Sequence, residues 1–313
     1  MTRTLIVGDL HAADKTPVGR VDNYLSSFLD KMGQVVDIAK TSNVDSIVFL
    51  GDIFHKKRPN HVSHFLVNLL QRLFSELPVE PIVLVGNHDI PLKTKGVDWY
   101  PVGSLTGVHL VDSCDCFVVG DFFYMFYPGH IDYSEELLLE FISSCSIPKD
   151  KVSVLFVHNS ISEVHLPFYY VKPQSLRFLD VDFVVFGHIH SRYGPKKVGK
   201  PVFFNPGALM RVSRSAADLA LQPAVAVLDS SGDGLNAFTV LDLVVEESYS
   251  VFDMDSLDAE KVLLQERSRF IENLDTINFD GLSFEGLVGQ IRSASISDEL
   301  KTLIISTLES VYG

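Results

Sequence analysis

Carboxylate, amide and imidazole side chains recur along this chain in short clusters, most of them opened by a glycine. They are Gly8-Asp9-Leu10-His11, Gly51-Asp52-Ile53-Phe54-His55, Gly86-Asn87-His88-Asp89, His158-Asn159 and Gly187-His188-Ile189-His190. A lone Gly-Asp or His-x-His is usually a turn or a surface pair. A series of them, each directly after an apolar run, points to one shared site, because open α/β sheets bind ligands beyond the carboxyl ends of their strands. Asp and His donors with one neutral Asn oxygen suit divalent Mn²⁺ first, with Zn²⁺, Fe²⁺ or Mg²⁺ as alternatives; the absence of thiolates argues against structural zinc. Asp52, the central carboxylate, is suited to bridge two cations about 3.5–4 Å apart, the spacing of two-metal hydrolases. Two such cations bring four positive charges; Asp9 and Asp52 remove two and a bridging hydroxide a third. The site keeps a charge of about +1, which attracts a phosphate. A third carboxylate in place of Asn87 would cancel it. The glycines let the backbone bend sharply and approach the metals without a side chain in the way.

The apolar runs that precede these clusters lie at residues 5–7, 47–50, 82–85, 152–157 and 183–186, with further runs at 202–204 and 225–228. Short continuous runs of Val, Ile, Leu and Phe fit strands buried on both faces. Between the early strands, Tyr24, Leu25, Phe28, Leu29, Met32, Val35, Val36 and Ala39 keep helical spacing, as do Phe65, Leu66, Leu69, Leu70, Leu73 and Phe74. The alternation predicts a mainly parallel sheet with covering helices. Residues 108–111, 117–119 and 122–126 read as a meander, with turn signals at Asp112-Ser113 and Gly120-Asp121. The aromatic run Phe122–Tyr127 is read as a packed core strand rather than a base-stacking platform. Ser230-Ser231-Gly232-Asp233-Gly234 predicts a hairpin turn. Residues 258–274, 284–291 and 298–311 carry amphipathic helical spacing and no chemical motif.

At 313 residues, with 46% hydrophobic and 21% charged residues, the chain has ample material for a core. No apolar run reaches the ~18 residues of a membrane span. The apolar stretch near the N-terminus is too short for a signal peptide, and three cysteines without CxxC spacing imply no disulfide framework; the expected compartment is cytoplasmic. A net charge of −14 opposes strong independent binding to a nucleic acid, which usually meets a basic face. His61, His64, His109, His130 and His165 lack strand-end context, and Cys114 and Cys116 are read as ordinary thiols.

The five clusters, in this order, resemble the calcineurin-like metallophosphoesterase superfamily over roughly residues 4–245. The resemblance implies an α/β, two-sheet αββα sandwich as the catalytic domain (residues 1–247), followed by a small C-terminal helical module (residues 254–313). It implies that Asp9, His11, Asp52 and His190 hold one metal, and that Asp52, Asn87, His158 and His188 hold the other. His88 is then the catalytic histidine and Asp89 its orienting partner. The attack on phosphorus would come from a hydroxide bridging the metals.

The second cluster continues as Asp52-Ile53-Phe54-His55-Lys56-Lys57-Arg58-Pro59-Asn60, which resembles the SbcD-type DNA-repair nucleases, although Pro59-Asn60 departs from the Pro-Ser of that pattern. By that likeness His55 seats a DNA phosphate, and the substrate is the DNA backbone, cut as an exonuclease or endonuclease. The turn Asn205-Pro206-Gly207-Ala208-Leu209 also matches these enzymes. Arg211 and Arg214, with Lys56, Lys57, Arg58, Lys93 and Lys95, are candidates for a basic rim. The C-terminal helices are a candidate dock for an SbcC-like coiled-coil ATPase, and a homodimer is a further expectation of the family. Two rival readings stay open: a phosphodiesterase or phosphatase of small nucleotides, and a non-catalytic interaction module.

Overall fold

In the computed structural model, residues 1–56, 62–90, 100–255 and 284–293, with residues 298, 301, 302, 304 and 305, are described. The runs of Val, Ile, Leu and Phe form strands because each is covered on both sides. Strands β1 (Arg3–Val7), β2 (Ser46–Phe49), β3 (Ile82–Leu84) and β4 (His109–Val111) pair in parallel. Strands β11 (Ala224–Asp229) and β12 (Phe238–Asp242) extend this sheet antiparallel to β1, giving the order β12-β11-β1-β2-β3-β4. The second sheet has the order β5-β6-β7-β8-β10-β9. It comprises β5 (Asp115–Val119), β6 (Phe122–Tyr127), β7 (Val152–His158), β8 (Phe183–Gly187), β9 (Tyr193–Lys197) and β10 (Val202–Asn205).

Alternation along each strand sorts residues into separate apolar layers. Ile6, Val48, Leu84, Tyr124, Phe126, Phe156, Val185 and Phe204 meet between the sheets. Leu5, Val7, Ile47, Phe49 and Val83 face outward onto helices α1 (Tyr24–Thr41) and α2 (His64–Ser75). Phe123, Met125, Leu155, Val157, Val184 and Phe203 do the same on the far face, with Leu138 and Ile142 of helix α3 (Glu135–Ser144). The result is the αββα sandwich. All six residues of β6 are buried, so the aromatic run is core.

Both long helices start at side-chain caps. Asn23 accepts from Ser26 N at 3.1 Å and Ser63 from Leu66 N at 3.1 Å, satisfying amide donors that have no partner within the helix. The inward face of α1 is Tyr24, Phe28, Lys31, Met32, Val35, Val36 and Ala39. In α2 the core face is Leu66, Leu70, Leu73 and Phe74, whereas Phe65 points to solvent at 60% exposure.

The expected meander is corrected. β4 joins the first sheet in parallel with β3, and only β5 and β6 form a hairpin, in the second sheet. Gly120 (φ +56) turns that hairpin, while the Asp112-Ser113 signal marks a crossing from one sheet to the other. The β11–β12 hairpin forms as expected. Helices α4 (Ala216–Ala220) and α5 (Ser248–Val251) complete this part of the chain.

The chain divides into two compact units, Met1–Val251 and Phe252–Gly313. In the second, helix α6 (Phe284–Ser293) covers one of the expected helical segments; residues 258–274 and most of 298–311 lie outside the described residues. Among the described residues, no helix is long and apolar enough to cross a membrane.

Candidate metal centre

The clusters lie at the carboxyl ends of β1, β2 and β3 in one sheet and of β7 and β8 in the other. The backbone there is bent beyond what regular strands allow. His11 (φ 51), Asp52 (φ 47) and His188 (φ 77) occupy the left-handed region, a strain that persists where surrounding structure enforces it and that concentrates at functional sites. Gly51, at φ +110, is required on two counts: a Cβ there would meet His158 Nδ1 at 2.5 Å and the Gly86 backbone at 2.9 Å.

These bends bring the donors together. His158 Nε2 lies 3.3 Å from Asp52 Oδ1 and 3.2 Å from Asn87 Oδ1, which is itself 2.7 Å from His188 Nδ1. Beside this set, His11 Nε2 lies 2.9 Å from His190 Nε2 and 4.0 Å from Asp52 Oδ2. Asp9, His11 and His190 offer ligand atoms within 4.8 Å of one another, as do Asp52, His158 and His188. The two oxygens of Asp52 therefore face different donor sets. Bonds of about 2.1 Å put neighbouring ligands of one cation about 3 Å apart, so the spacings fit two cations that share Asp52. The donors are nitrogen and oxygen throughout. His11 Nδ1 and His55 Nδ1 are buried without a hydrogen-bond partner.

Hydrogen bonds fix which imidazole nitrogen is free. His158 Nδ1 donates to Leu50 O (2.6 Å), and His190 Nδ1 to Asp218 Oδ1 (3.2 Å), so each turns Nε2 to the site. Asp9 is held by the His188 amide, 3.0 Å from Oδ2, and lies 1% exposed. Without cations, charge is balanced by protons. Burial opposes charge on His158, but Asp52 outweighs it and raises the imidazole to about 10, while Asp52 is held well below the usual carboxylate range by His158. Burial drives His11 down and His188 down to about 4, and pushes the Asp9 carboxyl up. Cations here would displace the proton on His158.

His88 and His55 border the same space. The His88 ring stands 5.2 Å from that of His11, and the His55 ring 5.6 Å from it, both edge to face. His88 Nδ1 donates to the His55 carbonyl at 2.8 Å, which leaves Nε2 free. Asp89, expected to orient His88, is corrected. Its carboxylate accepts from Gly86 N (2.8 Å) and Phe54 N (3.2 Å), tying the second cluster to the third, and the backbone of His55 orients His88 instead. Burial, then the charge of Asp52, raises Asp89 to about 7.

Arg211 is also corrected as a rim residue. It is 8% exposed, and it donates through Nε to Leu221 O and through Nη1 to Glu246 O. Arg214 is half-buried and Lys56 exposed; Lys57, Arg58, Lys93 and Lys95 lie outside the described residues, as does His61. His64, His109, His130 and His165 are exposed and are absent from the donor groups. Cys114, Cys116 and Cys145 are free thiols.

Two residues support the donors from behind: Asp218, which no chemical motif of the sequence singled out, and Asn205, which heads the turn at residues 205–209. Asp218, 1% exposed, holds His190 with one oxygen and takes Ser213 N (2.7 Å) and Ser213 Oγ (2.7 Å) with the other. Its signal was the capping pattern Ser215-Ala216-Ala217-Asp218. Asn205 donates to Ile189 O at 2.7 Å and so braces the loop between His188 and His190.

A family model described as calcineurin-like phosphoesterase matches residues 2–192. The DNA double-strand break repair protein Mre11 of Sulfurisphaera tokodaii is 24% identical over 287 residues, covering 88% of this chain and 66% of that protein. Mre11 of Haloferax volcanii is 29% identical over 123 residues, covering 38% of this chain and 26% of that protein. The chain thus spans less than two-thirds of the length of these relatives. Among solved structures, an archaeal phosphodiesterase is similar at 15% identity and a TM-score of 0.41, over 77% of this chain and 100% of that one. A dimetal phosphatase from Danio rerio is similar at 14% identity and a TM-score of 0.44, over 78% and 99%.

Proposed function

Because the chain belongs to the calcineurin-like phosphoesterase family, hydrolases built on dinuclear metal centres, we propose that it is a metal-dependent phosphodiesterase cutting the DNA backbone in the manner of SbcD-type nucleases. The observation that carries the proposal is Asp52, whose two oxygens face separate nitrogen-rich donor sets. In it, Asp9, His11, Asp52 and His190 hold one cation, Asp52, Asn87, His158 and His188 the other, and Mn²⁺ is the native metal. Bound there, a pair of divalent cations neutralises phosphoryl charge and lowers the barrier to in-line attack by water.

The remaining work falls to protein groups. His88, its Nδ1 fixed on the His55 carbonyl, presents Nε2 to the leaving oxygen and gives it a proton or stabilises its charge. The His55 imidazole borders the same space and seats a substrate phosphate. Asp89 keeps the Gly86 and Phe54 amides in place, which holds the loops of Asp52 and His88 in register. The likeness to two Mre11 proteins supports DNA as substrate. Docking of a coiled-coil ATPase on the C-terminal helical segments, and a homodimer, belong to the same proposal. The net charge of −14 and the inward-held Arg211 favour a second reading, a phosphodiesterase of small nucleotides.

The test is hydrolysis of a labelled DNA duplex beside bis-p-nitrophenyl phosphate, with Mn²⁺. His88→Ala should lower both rates by about 10²- to 10⁴-fold while the protein still binds two metals. Full activity in that variant overturns the role of His88. Cleavage of the small ester with the duplex left intact replaces the DNA proposal by the second reading.

A further inference from the structure

Helix α1 carries a lysine on its buried face. Lys31 is 8% exposed, and among the described residues its sole hydrogen-bond partner is Ser27 O at 3.5 Å, the outer limit of such a bond. Lys31 lines a cavity of about 230 Å³, together with Arg20, Arg211, Asp30 and Glu246 among others. Arg20 and Arg211 are likewise 8% exposed.

The charges in this cavity do not cancel. Arg20 spends Nε and Nη2 on Asp22, at 2.8 and 2.6 Å, and Nη1 on Arg211 O. Among the described residues, the Arg211 side chain hydrogen-bonds only to backbone carbonyls, those of Leu221 (2.9 Å) and Glu246 (2.7 Å). No carboxylate pairs with Arg211 or Lys31 among the described residues. Asp22 is engaged by Arg20 and by Ser27 Oγ. The side chains of Asp30, Glu246 and Glu247 lie in solvent, where their fields are screened, and the buried Asp218, which also acts on Arg211, is engaged by His190 and Ser213. A molecule of net charge −14 thus holds a buried surplus of about two positive charges around a cavity, an arrangement that costs free energy until an anion joins it.

We propose that this cavity is a binding site for a phosphate-sized oxyanion, formed by Lys31 and Arg211 with Arg20 behind them. An ammonium as a point charge beside a guanidinium fork matches the oxygens of a tetrahedral anion. A cavity of this size holds a small oxyanion, either free or as the phosphate group of a larger molecule. Burial, followed by the charges of Arg20 and Arg211, pushes the Lys31 ammonium down to about 8, and a bound anion would restore it. The site is separate from the metal centre. Residues near it reach the backbone of the metal-site loops: the Tyr24 hydroxyl, on the ring beneath Arg20, donates to His11 O (2.7 Å), and Leu209 N, two residues before Arg211, donates to Asp9 O (2.8 Å).

Calorimetry and ³¹P NMR with inorganic phosphate, on full-length protein dialysed free of metal, test the site without engaging the centre, so success or failure here is independent of the phosphodiesterase reading. Wild type should bind phosphate. Lys31→Met, which keeps the apolar stem, should bind at least about tenfold more weakly, and Lys31→Arg should retain binding. Competition by a nucleoside 5′-monophosphate would identify a nucleotide phosphate as the ligand, and lack of competition a free oxyanion; both support the site. No phosphate binding by wild type overturns it. Equal binding by wild type and by both Lys31→Met and Arg211→Lys, each verified as folded by circular dichroism, does so too.

Discussion

The imidazole of His190 is set from behind by a residue that touches no proposed cation. Asp218 Oδ1 takes the Nδ1 proton, and Oδ2 is anchored on the backbone and hydroxyl of Ser213, so the carboxylate has little freedom to turn. Such partners fix the tautomer of a metal-binding imidazole and raise its basicity. Asp218→Asn keeps the shape but removes the charge. It should weaken metal binding about 10- to 100-fold, read by Mn²⁺ titration of metal-free protein, with the thermal midpoint of that metal-free protein nearly unchanged. Unaltered affinity would mean that His190 needs no anchor. The donors themselves were legible because short clusters at strand ends announce them. Asp218 was not, because it lies 28 residues beyond His190 and only the fold joins them. The His55 carbonyl that orients His88 was invisible for another reason: it is backbone, and no residue type encodes it. Arg211 was misread because a positive charge in a sequence carries no direction.

At the level of strands and loops, function depends on bends placed at strand ends. Gly51 ends the β2 run in a conformation foreign to L side chains, and His158 and Gly86 crowd the position a Cβ would take. Gly51→Ala is therefore expected to cost about 2 kcal/mol or more in urea unfolding and to displace Asp52 from its donors, so that metal affinity falls with stability. A fully stable, metal-competent variant would show that the close approach is dispensable. Strands buried on both faces were readable as continuous apolar runs, and the helices of the first half as 3.6-residue periods. What failed was partnership. β4 reads as the start of a meander, yet its backbone completes the parallel edge beside β3, a non-local pairing that no turn signal reports. β9 escaped because Gly194, Pro195 and two lysines make an edge strand look like a loop, and α3 because Leu137 and Leu139 face solvent and blur its periodicity.

The two sheets contribute unequally to one centre: Asp9, His11, Asp52 and Asn87 follow strands of the first, whereas His158, His188 and His190 follow strands of the second. Cations held by both sets would act as a clamp across the sandwich, closing it at the edge where the inter-sheet layer ends. A ligand that binds only the folded state stabilises it by mass action, about 2.7 kcal/mol at a hundredfold excess over Kd. For a unit of this size that corresponds to a rise of roughly 5–10 °C in thermal midpoint. Saturating Mn²⁺ should therefore raise the midpoint by that amount, and a chelator should return it to the metal-free value. His158→Ala removes a donor from the second sheet and leaves the first intact. It should abolish most of the rise while the metal-free midpoint still reports a folded sandwich. A midpoint indifferent to both Mn²⁺ and chelator would mean that the donors, close as they stand, do not hold cations across the two sheets.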